Sequence, residues 1–174
     1  MKSLNEIAFE LYDSKQYEEL GKLLSNQEDS NDGEIQFLLG SLFDLGIDRK
    51  KDPVKAFSYF YKSAHNANPL GERALGIYYF LDNGTEVDKE KGLYWVNKSI
   101  EDGCIRAICT LAHIYMHGLA GIKDEKHAFE LYLQAASLGD THAMEHVSEC
   151  YEKGIGTEVD LIKSQDYLKA SKAK

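Results

Sequence analysis

Two pairs of histidines have spacings that could support metal chemistry. His142, Glu145 and His146 form an H-x-x-E-H pattern, the inverted zinc-peptidase signature, in which both histidines would bind zinc and the glutamate would act as the base. His113 and His117 lie four residues apart, a spacing that can chelate a metal when it falls on a helix. A metal-dependent hydrolase is therefore one hypothesis that these residues raise.

The residues around these histidines favour a structural explanation. Ala143, inside the H-x-x-E-H pattern, and Val147, directly after it, have the spacing of packing residues on one helix face. Only 28 residues follow His146, with no second domain to bind a substrate. Cys109 has no activating histidine or asparagine constellation, and the sequence has neither G-x-G-x-x-G nor a P-loop. We therefore predict no catalytic residue, no metal and no cofactor, and a protein that is not an enzyme.

A period of 36 residues organises most of the chain. The pentapeptide GTEVD occurs at residues 84–88 and again at 156–160, two periods later. The same step of 36 residues returns a leucine or valine, followed directly by a small residue. Counted from that leucine or valine, an aromatic residue recurs four positions later and an aspartate thirteen positions later. A lysine or histidine follows the aspartate. The leucine register consists of Leu39, Leu75, Leu111 and Val147. Such a recurrence predicts a repeat protein.

Each period predicts two amphipathic helices joined by a glycine-rich turn. Residues 106–117 and 125–138 show the helical spacing of apolar side chains for the first and second helix of one repeat. The aspartate before each second helix is expected to be its N-cap, which accepts a hydrogen bond from an otherwise unpaired backbone N–H. The predicted caps are Asp52, Asp88, Asp124 and Asp160.

Composition and charge limit the kinds of partner. Hydrophobic residues make up 43% and charged residues 28% of 174 residues, values typical of a globular protein. The net charge is −9, and residues 1–34 carry nine acids against three lysines, a net −6. Such acidity argues against a nucleic-acid ligand, because phosphate binding needs a basic surface. We find no membrane span and no secretory signal, and we expect Cys104, Cys109 and Cys150 to be reduced thiols of a cytoplasmic protein.

The repeat pattern resembles the Sel-1-like repeat, a relative of the tetratricopeptide repeat. The third copy carries it at Leu111, Ala112, Tyr115, Gly118 and Asp124. The resemblance implies an all-α fold, an α/α solenoid of helix-turn-helix repeats. It has about four repeats, near residues 35–70, 71–106, 107–142 and 143–174, which form one continuous solenoid over 31–174. Residues 1–30 are expected to form an N-terminal capping helix pair, since terminal repeats need a polar outer face.

The resemblance also implies a protein–protein interaction module whose first helices line a concave groove. Bacterial relatives include adaptors, scaffolds and immunity proteins that neutralise a toxin, so a cognate inhibitor and an adaptor are both open. A basic toxin or effector would suit the acidic surface, and a monomer is favoured. By register, the residues expected to line the groove are Phe37, Arg73, Ile77, Phe80, Arg106, Cys109, His113, Met116, His117, His142, Glu145 and Glu149.

Overall fold

The computed structural model describes residues 2–47 and 49–173, and these residues form ten α-helices and no β-strand. The helices are α1 (Leu4–Asp13), α2 (Tyr17–Leu23), α3 (Gly33–Leu45), α4 (Pro53–His65), α5 (Pro69–Phe80), α6 (Lys89–Glu101), α7 (Ile105–His117), α8 (Glu125–Ser137), α9 (Thr141–Lys153) and α10 (Leu161–Lys172). Within the described ranges, no helix has both the length and the apolar character that crossing a membrane requires. The predicted all-α repeat fold is confirmed.

The chain divides into two compact units, Met1–Asp102 and Gly103–Lys174. In the first unit α3 pairs with α4 and α5 pairs with α6, while α4 packs on α5 and α1 packs on α3. In the second unit α7 pairs with α8 and α9 pairs with α10, and α8 packs on α9. Each 36-residue period is therefore one helix pair, and the second helix of one pair contacts the first helix of the next within each unit.

The small residue after the register leucine allows the two helices of a repeat to approach closely. A Cβ atom added at Gly40 would lie 2.7 Å from the ring of Phe60, and one added at Gly76 would lie 2.7 Å from a methyl group of Val96. Real Cβ atoms do not pack so tightly. The dense interior of the helix pair therefore excludes a larger residue at these positions.

The aspartate of each repeat fixes the turn with two hydrogen bonds. The carboxylate of Asp52 accepts from the N–H of Lys55 at 3.0 Å, which caps α4. The N–H of Asp52 donates to the carbonyl oxygen of Phe43 at 3.0 Å, which ties the helix start to the end of α3. The same two bonds recur at Asp88, Asp124 and Asp160. The register aspartate is thus both an N-cap and the closing residue of the turn.

The glycine of the duplicated GTEVD segment is required by packing. Gly84 has φ +85°, and a Cβ there would lie 2.4 Å from the carbonyl oxygen of Pro53, at the start of α4. Gly156 has φ +69°, and a Cβ there would lie 2.1 Å from the carbonyl oxygen of Glu125, at the start of α8. Both the positive φ and the close approach favour glycine. The repeated pentapeptide is therefore a turn that packs on the second helix of the preceding repeat.

The basic residue and the aromatic residue that recur in every repeat pack against each other. The basic side chain after the N-cap lies over the ring that ends the first helix, a cation–π contact. The distances from Nζ to the ring centroid are 5.0 Å for Lys55 over Phe43, 5.6 Å for Lys91 over Tyr79 and 5.2 Å for Lys163 over Tyr151. In the third repeat His127 takes this position and packs edge-on against Tyr115.

Candidate partner-binding surfaces

The first helices of the second unit, α7 and α9, present most of their predicted groove residues to solvent. Ala107 and Leu111 of α7 and Ala143 and Val147 of α9 are buried in the core, so the predicted groove positions fall on other faces of these helices. Cys109 and Met116 are half-buried. The exposed residues are Arg106, His113, His117, His142, Glu145 and Glu149.

Three histidines lie close together on this surface. The rings of His113 and His117 on α7 have centroids 4.3 Å apart. Partial burial lowers the pKa of His113, and the nearby His117 and His146 lower it further. The ring of His146 on α9 stacks on Tyr132 at 4.6 Å. The sequence register did not place His146 in the groove, because it lies directly before the packing residue of its repeat.

The H-x-x-E-H residues make other contacts than those of a zinc peptidase. His142 Nδ1 lies 3.8 Å from Glu145 Oε2, while the His146 ring packs on Tyr132. Among the residues that the structure describes, no group of three or more His, Cys, Asp or Glu side chains is arranged to hold a metal ion. The geometry therefore gives this pattern a packing and surface role.

The three cysteines of the second unit form no disulfide among the described residues, and one of their thiols is strongly protected from ionisation. Cys104 and Cys150 are buried and Cys109 is half-buried. Burial raises the pKa of Cys150 to about 11, and the nearby Glu149 contributes to the rise. Because the thiolate is the nucleophile, Cys150 is a poor nucleophile at neutral pH. Glu149 itself pairs with Lys153 at 2.6 Å, which lowers the pKa of Glu149.

In the first unit, the prediction that Phe37 lines a groove is wrong. Only 3% of Phe37 is exposed. Its ring packs edge-to-face against Tyr12 of α1 at 5.7 Å, and in a tilted arrangement against Phe60 of α4 at 6.0 Å. The physical reason is that α1 packs on α3 and covers a position that the repeat register leaves open. Phe37 is a core residue.

The other predicted groove residues of the first unit are half-buried. The ring of Phe80 packs on Gly92 of α6, so closely that a Cβ there would lie 2.5 Å from it. The Nε atom of Arg73 is buried and has no hydrogen-bond partner among the described residues. Ile77 is also half-buried. Phe80 therefore packs within its own helix pair. The spacing of residues along α5 alone does not reveal this contact with α6.

A buried carboxylate in the first unit was not predicted from the sequence. Glu72 is fully buried, and its Oε1 lies 3.0 Å from Nζ of Lys98, which also pairs with Asp102 at 2.5 Å. Burial raises the pKa of Glu72, and the adjacent Asp102 raises it further against the opposing effect of Lys98. One period earlier the equivalent residues are Gln36 and Asn66, which form a neutral amide pair at 2.8 Å.

A run of rings on the second helices α4 and α6, three of them exposed and the ring of Trp95 half-buried, was also not predicted. Tyr61 and His65 stack with centroids 4.0 Å apart, His65 lies 5.2 Å from Trp95, and Trp95 lies 5.2 Å from Tyr94. Tyr61 is 44% and Tyr94 is 59% exposed. We call these four residues the aromatic ridge. The signal for it in the sequence is the spacing of Tyr61 and His65, which places both side chains on one helix face.

Comparison with known proteins identifies the repeat. The family model described as Sel1 repeat matches residues 34–68, 69–104, 105–140 and 141–173. The chitin synthase regulator SKT5 of Saccharomyces cerevisiae is 31% identical over 121 residues, which are 64% of this chain and 17% of the relative. The chain thus spans about a sixth of the length of this curated relative.

Two solved structures share the fold. A Sel1 repeat protein from Oxalobacter formigenes superposes with a TM-score of 0.73 at 25% identity, over 97% of this chain and 69% of that one. The protein c5321, a protective antigen present in uropathogenic Escherichia coli strains, superposes with a TM-score of 0.69 at 20% identity, over 97% of this chain and 37% of that one. Sel1 repeat proteins generally mediate protein–protein interactions and are typically not enzymes. Since the four matched copies cover most of its length, the chain belongs to the Sel1 repeat family.

Proposed function

We propose that this chain is a protein-interaction module that binds a segment of a partner protein on the exposed faces of α7 and α9. The observation that carries the proposal is the composition of α7. Exposed Arg106, His113 and His117 share one helix face with half-buried Cys109 and Met116. A partly apolar floor with polar side chains beside it is the usual composition of a protein interface.

The adjacent helix α9 contributes the charge of this surface. Glu145, Glu149 and Glu152 are exposed on it. Lys153 partly neutralises Glu149, so Glu145 and Glu152 supply negative charge for a basic residue of the partner. Such complementary charge sets the orientation and the rate of association more than the affinity.

We favour the role of an adaptor in a regulatory complex. The similarity to a protein named as a chitin synthase regulator supports the adaptor role. The chemistry of the partner is inferred from the surface of this chain alone. A cognate inhibitor of a basic toxin is the second form, and the net charge of −9 favours it. Both forms keep the chain as a monomer in the cytoplasm, which stays a prediction.

Affinity capture from the source organism with a surface variant tests the proposal. We would compare the unmodified chain with Arg106→Glu/His117→Ala and with Ile162→Ala, a matched control whose side chain is 76% exposed on α10. The variant of α7 should lose a partner that the control retains. Equal recovery of every captured protein by all three chains would refute this surface. A partner that is toxic alone and harmless when co-expressed would identify the inhibitor form.

A further inference from the structure

Three rings of the aromatic ridge, those of Tyr61, His65 and Tyr94, occupy positions that the packing of the repeat does not require to be aromatic, whereas Trp95 packs against the core. One period after Tyr61 the chain has Asn97, and one period after His65 it has Glu101. One period after Tyr94 it has Glu130. Because other repeats fold with polar residues at these positions, the fold does not explain the rings. Large aromatic side chains that the fold leaves exposed are typical of interaction surfaces.

A cleft lies beside each terminal ring of the ridge, and each cleft combines a tyrosine with a carboxylate. The cleft beside Tyr61 has a volume of about 500 Å³ and includes Asp29. The cleft beside Tyr94 has a volume of about 320 Å³ and includes Glu101. A ring face attracts a cation, and a carboxylate pairs with it. The two clefts therefore have the same chemistry, which suits a cationic side chain.

The lysines that line these clefts already have partners. Lys98 pairs with Glu72 at 3.0 Å and with Asp102 at 2.5 Å. Lys62 lies over the ring of Tyr59 with its Nζ 5.3 Å from the centroid. Over residues 2–47 and 49–173, the cations that lie over rings contact Phe43, Tyr59, Tyr79 and Tyr151, and none lies over a ring of the ridge.

Charge complementarity indicates the sign of the partner. The first unit, residues 1–102, has 19 acidic and 12 basic residues, a net charge of −7 out of the −9 of the whole chain. Such a field attracts a basic segment and raises its association rate. Arginine suits the clefts better than lysine, because its planar guanidinium stacks on rings and pairs with a carboxylate through two hydrogen bonds. The chain makes a related contact itself, with the Arg49 guanidinium 4.8 Å from the centre of the Phe43 ring.

We infer that the aromatic ridge is a second docking surface, which binds an arginine-containing segment of a partner protein. Its guanidinium groups would stack on Tyr61 and Tyr94 and pair with Asp29 and Glu101. The ridge lies on α4 and α6, whereas the proposed function uses α7 and α9. The inference therefore does not rest on the proposed function, and either can fail alone.

Trp95 is the only tryptophan of the chain and lies within the ridge, so its fluorescence reports binding directly. We would titrate the full chain with a short peptide of alternating glycine and arginine and follow the Trp95 emission, with calorimetry for the affinity. Matched peptides would carry lysine, glutamate or proline in place of arginine. We expect saturable binding of the arginine peptide, which weakens as salt is added. The lysine peptide should bind more weakly.

Variants of the ridge and of its clefts test whether the peptide binds there. Tyr61→Ala and Tyr94→Ala should each weaken binding about threefold, and Glu101→Gln should weaken it and reduce its salt dependence. Ile162→Ala, on α10, should bind as the unmodified chain does, and so should Arg106→Glu/His117→Ala. Circular dichroism would establish that every variant is folded. Unchanged affinity in both tyrosine variants, equal affinity for the lysine peptide, or tighter binding of the glutamate or proline peptide would overturn the inference.

Discussion

Replacing the buried carboxylate of Glu72 by an amide should stabilise the protein at neutral pH. Glu72 is fully buried on α5 and is next to a second carboxylate, Asp102, so its ionised form is unfavourable despite the ion pair with Lys98. In Glu72→Gln, the introduced amide could donate to Asp102 and accept from Lys98. The Gln36–Asn66 pair of the first repeat shows that a neutral pair fits at the equivalent position.

The expected gain in the free energy of unfolding is about 1 kcal/mol, at the lower end of what replacing a buried ion pair by neutral side chains gives. Burying an ionised carboxylate costs several kcal/mol, and an ion pair recovers most of that cost only when its geometry is good. Here the compensating side chain, Lys98, is 32% exposed and shared with Asp102. The ion pair is therefore weakened by solvent, and its loss should not cancel the whole benefit of removing the buried charge.

The direction of the Glu72 pKa shift predicts how the stability difference between the two chains changes with pH. Burial raises the pKa of Glu72 above its ordinary value of 4.5, so the folded protein holds this proton more tightly than the unfolded chain does. The stability that this group contributes is fully present below pH 4.5 and is lost as the pH rises through the raised pKa. Asp102 acts in the opposite sense, because its lowered pKa gives stability that is lost as the pH falls. The advantage of Glu72→Gln should therefore shrink towards acid pH.

Urea unfolding followed by Trp95 emission measures this difference within the first unit. The unmodified chain and Glu72→Gln would be compared at neutral pH and at a pH near 4.5. Gln36→Glu is the matched reverse change, which buries a new carboxylate in the first repeat and should destabilise it. If Glu72→Gln proved less stable at neutral pH, the ion pair with Lys98 would outweigh the burial of charge. An advantage that did not change with pH would refute the raised pKa of Glu72.

Three further predictions follow from the repeat geometry. Asp124→Ala should lower the free energy of unfolding by about 1 kcal/mol, because it removes the N-cap of α8; thermal melts would show this, and Asp124→Asn, whose side-chain oxygen can still accept the capping hydrogen bond, should keep most of the stability. Gly76→Ala should cost about 1–3 kcal/mol in urea unfolding, because the new Cβ would lie 3.0 Å from the backbone nitrogen of Val96; an unchanged midpoint would contradict the packing argument. Cys150 should react with a thiol reagent more slowly than Cys109 at neutral pH, because burial raises the pKa of Cys150 to about 11; equal rates in a modification time course would refute this.

The features predicted best from the sequence are those that depend on neighbouring residues in the chain. The cap at Asp88 forms with Lys91, three residues later, and the glycine turn that precedes it repeats with the same period. Helix positions follow from the apolar spacing in the same way. Local interactions of this kind recur in each copy, so one repeat supports the interpretation of the others.

The features that were not predicted depend on contacts between different helices. Phe37 follows the groove register, yet it is buried because the N-terminal helix α1 covers it. The ridge joins His65 of α4 to Trp95 of α6, and the spacing within one helix does not show that these rings meet. Partner binding likewise depends on the surfaces of two chains. The assignment of the surface residues to a binding site therefore stays a prediction.

The paired hydrogen bonds of each register aspartate have a consequence for how such chains diversify. Because the bond from the Asp124 N–H to the Tyr115 carbonyl and the cap on α8 anchor both ends of the turn, the residues between them, apart from glycines that packing requires, can vary without moving the helices. The turn before Asp160 has the same closure with a different sequence. Each repeat thus carries a short variable loop on an invariant frame, a plan in which mutation can alter surface chemistry one loop at a time while the helices keep their places.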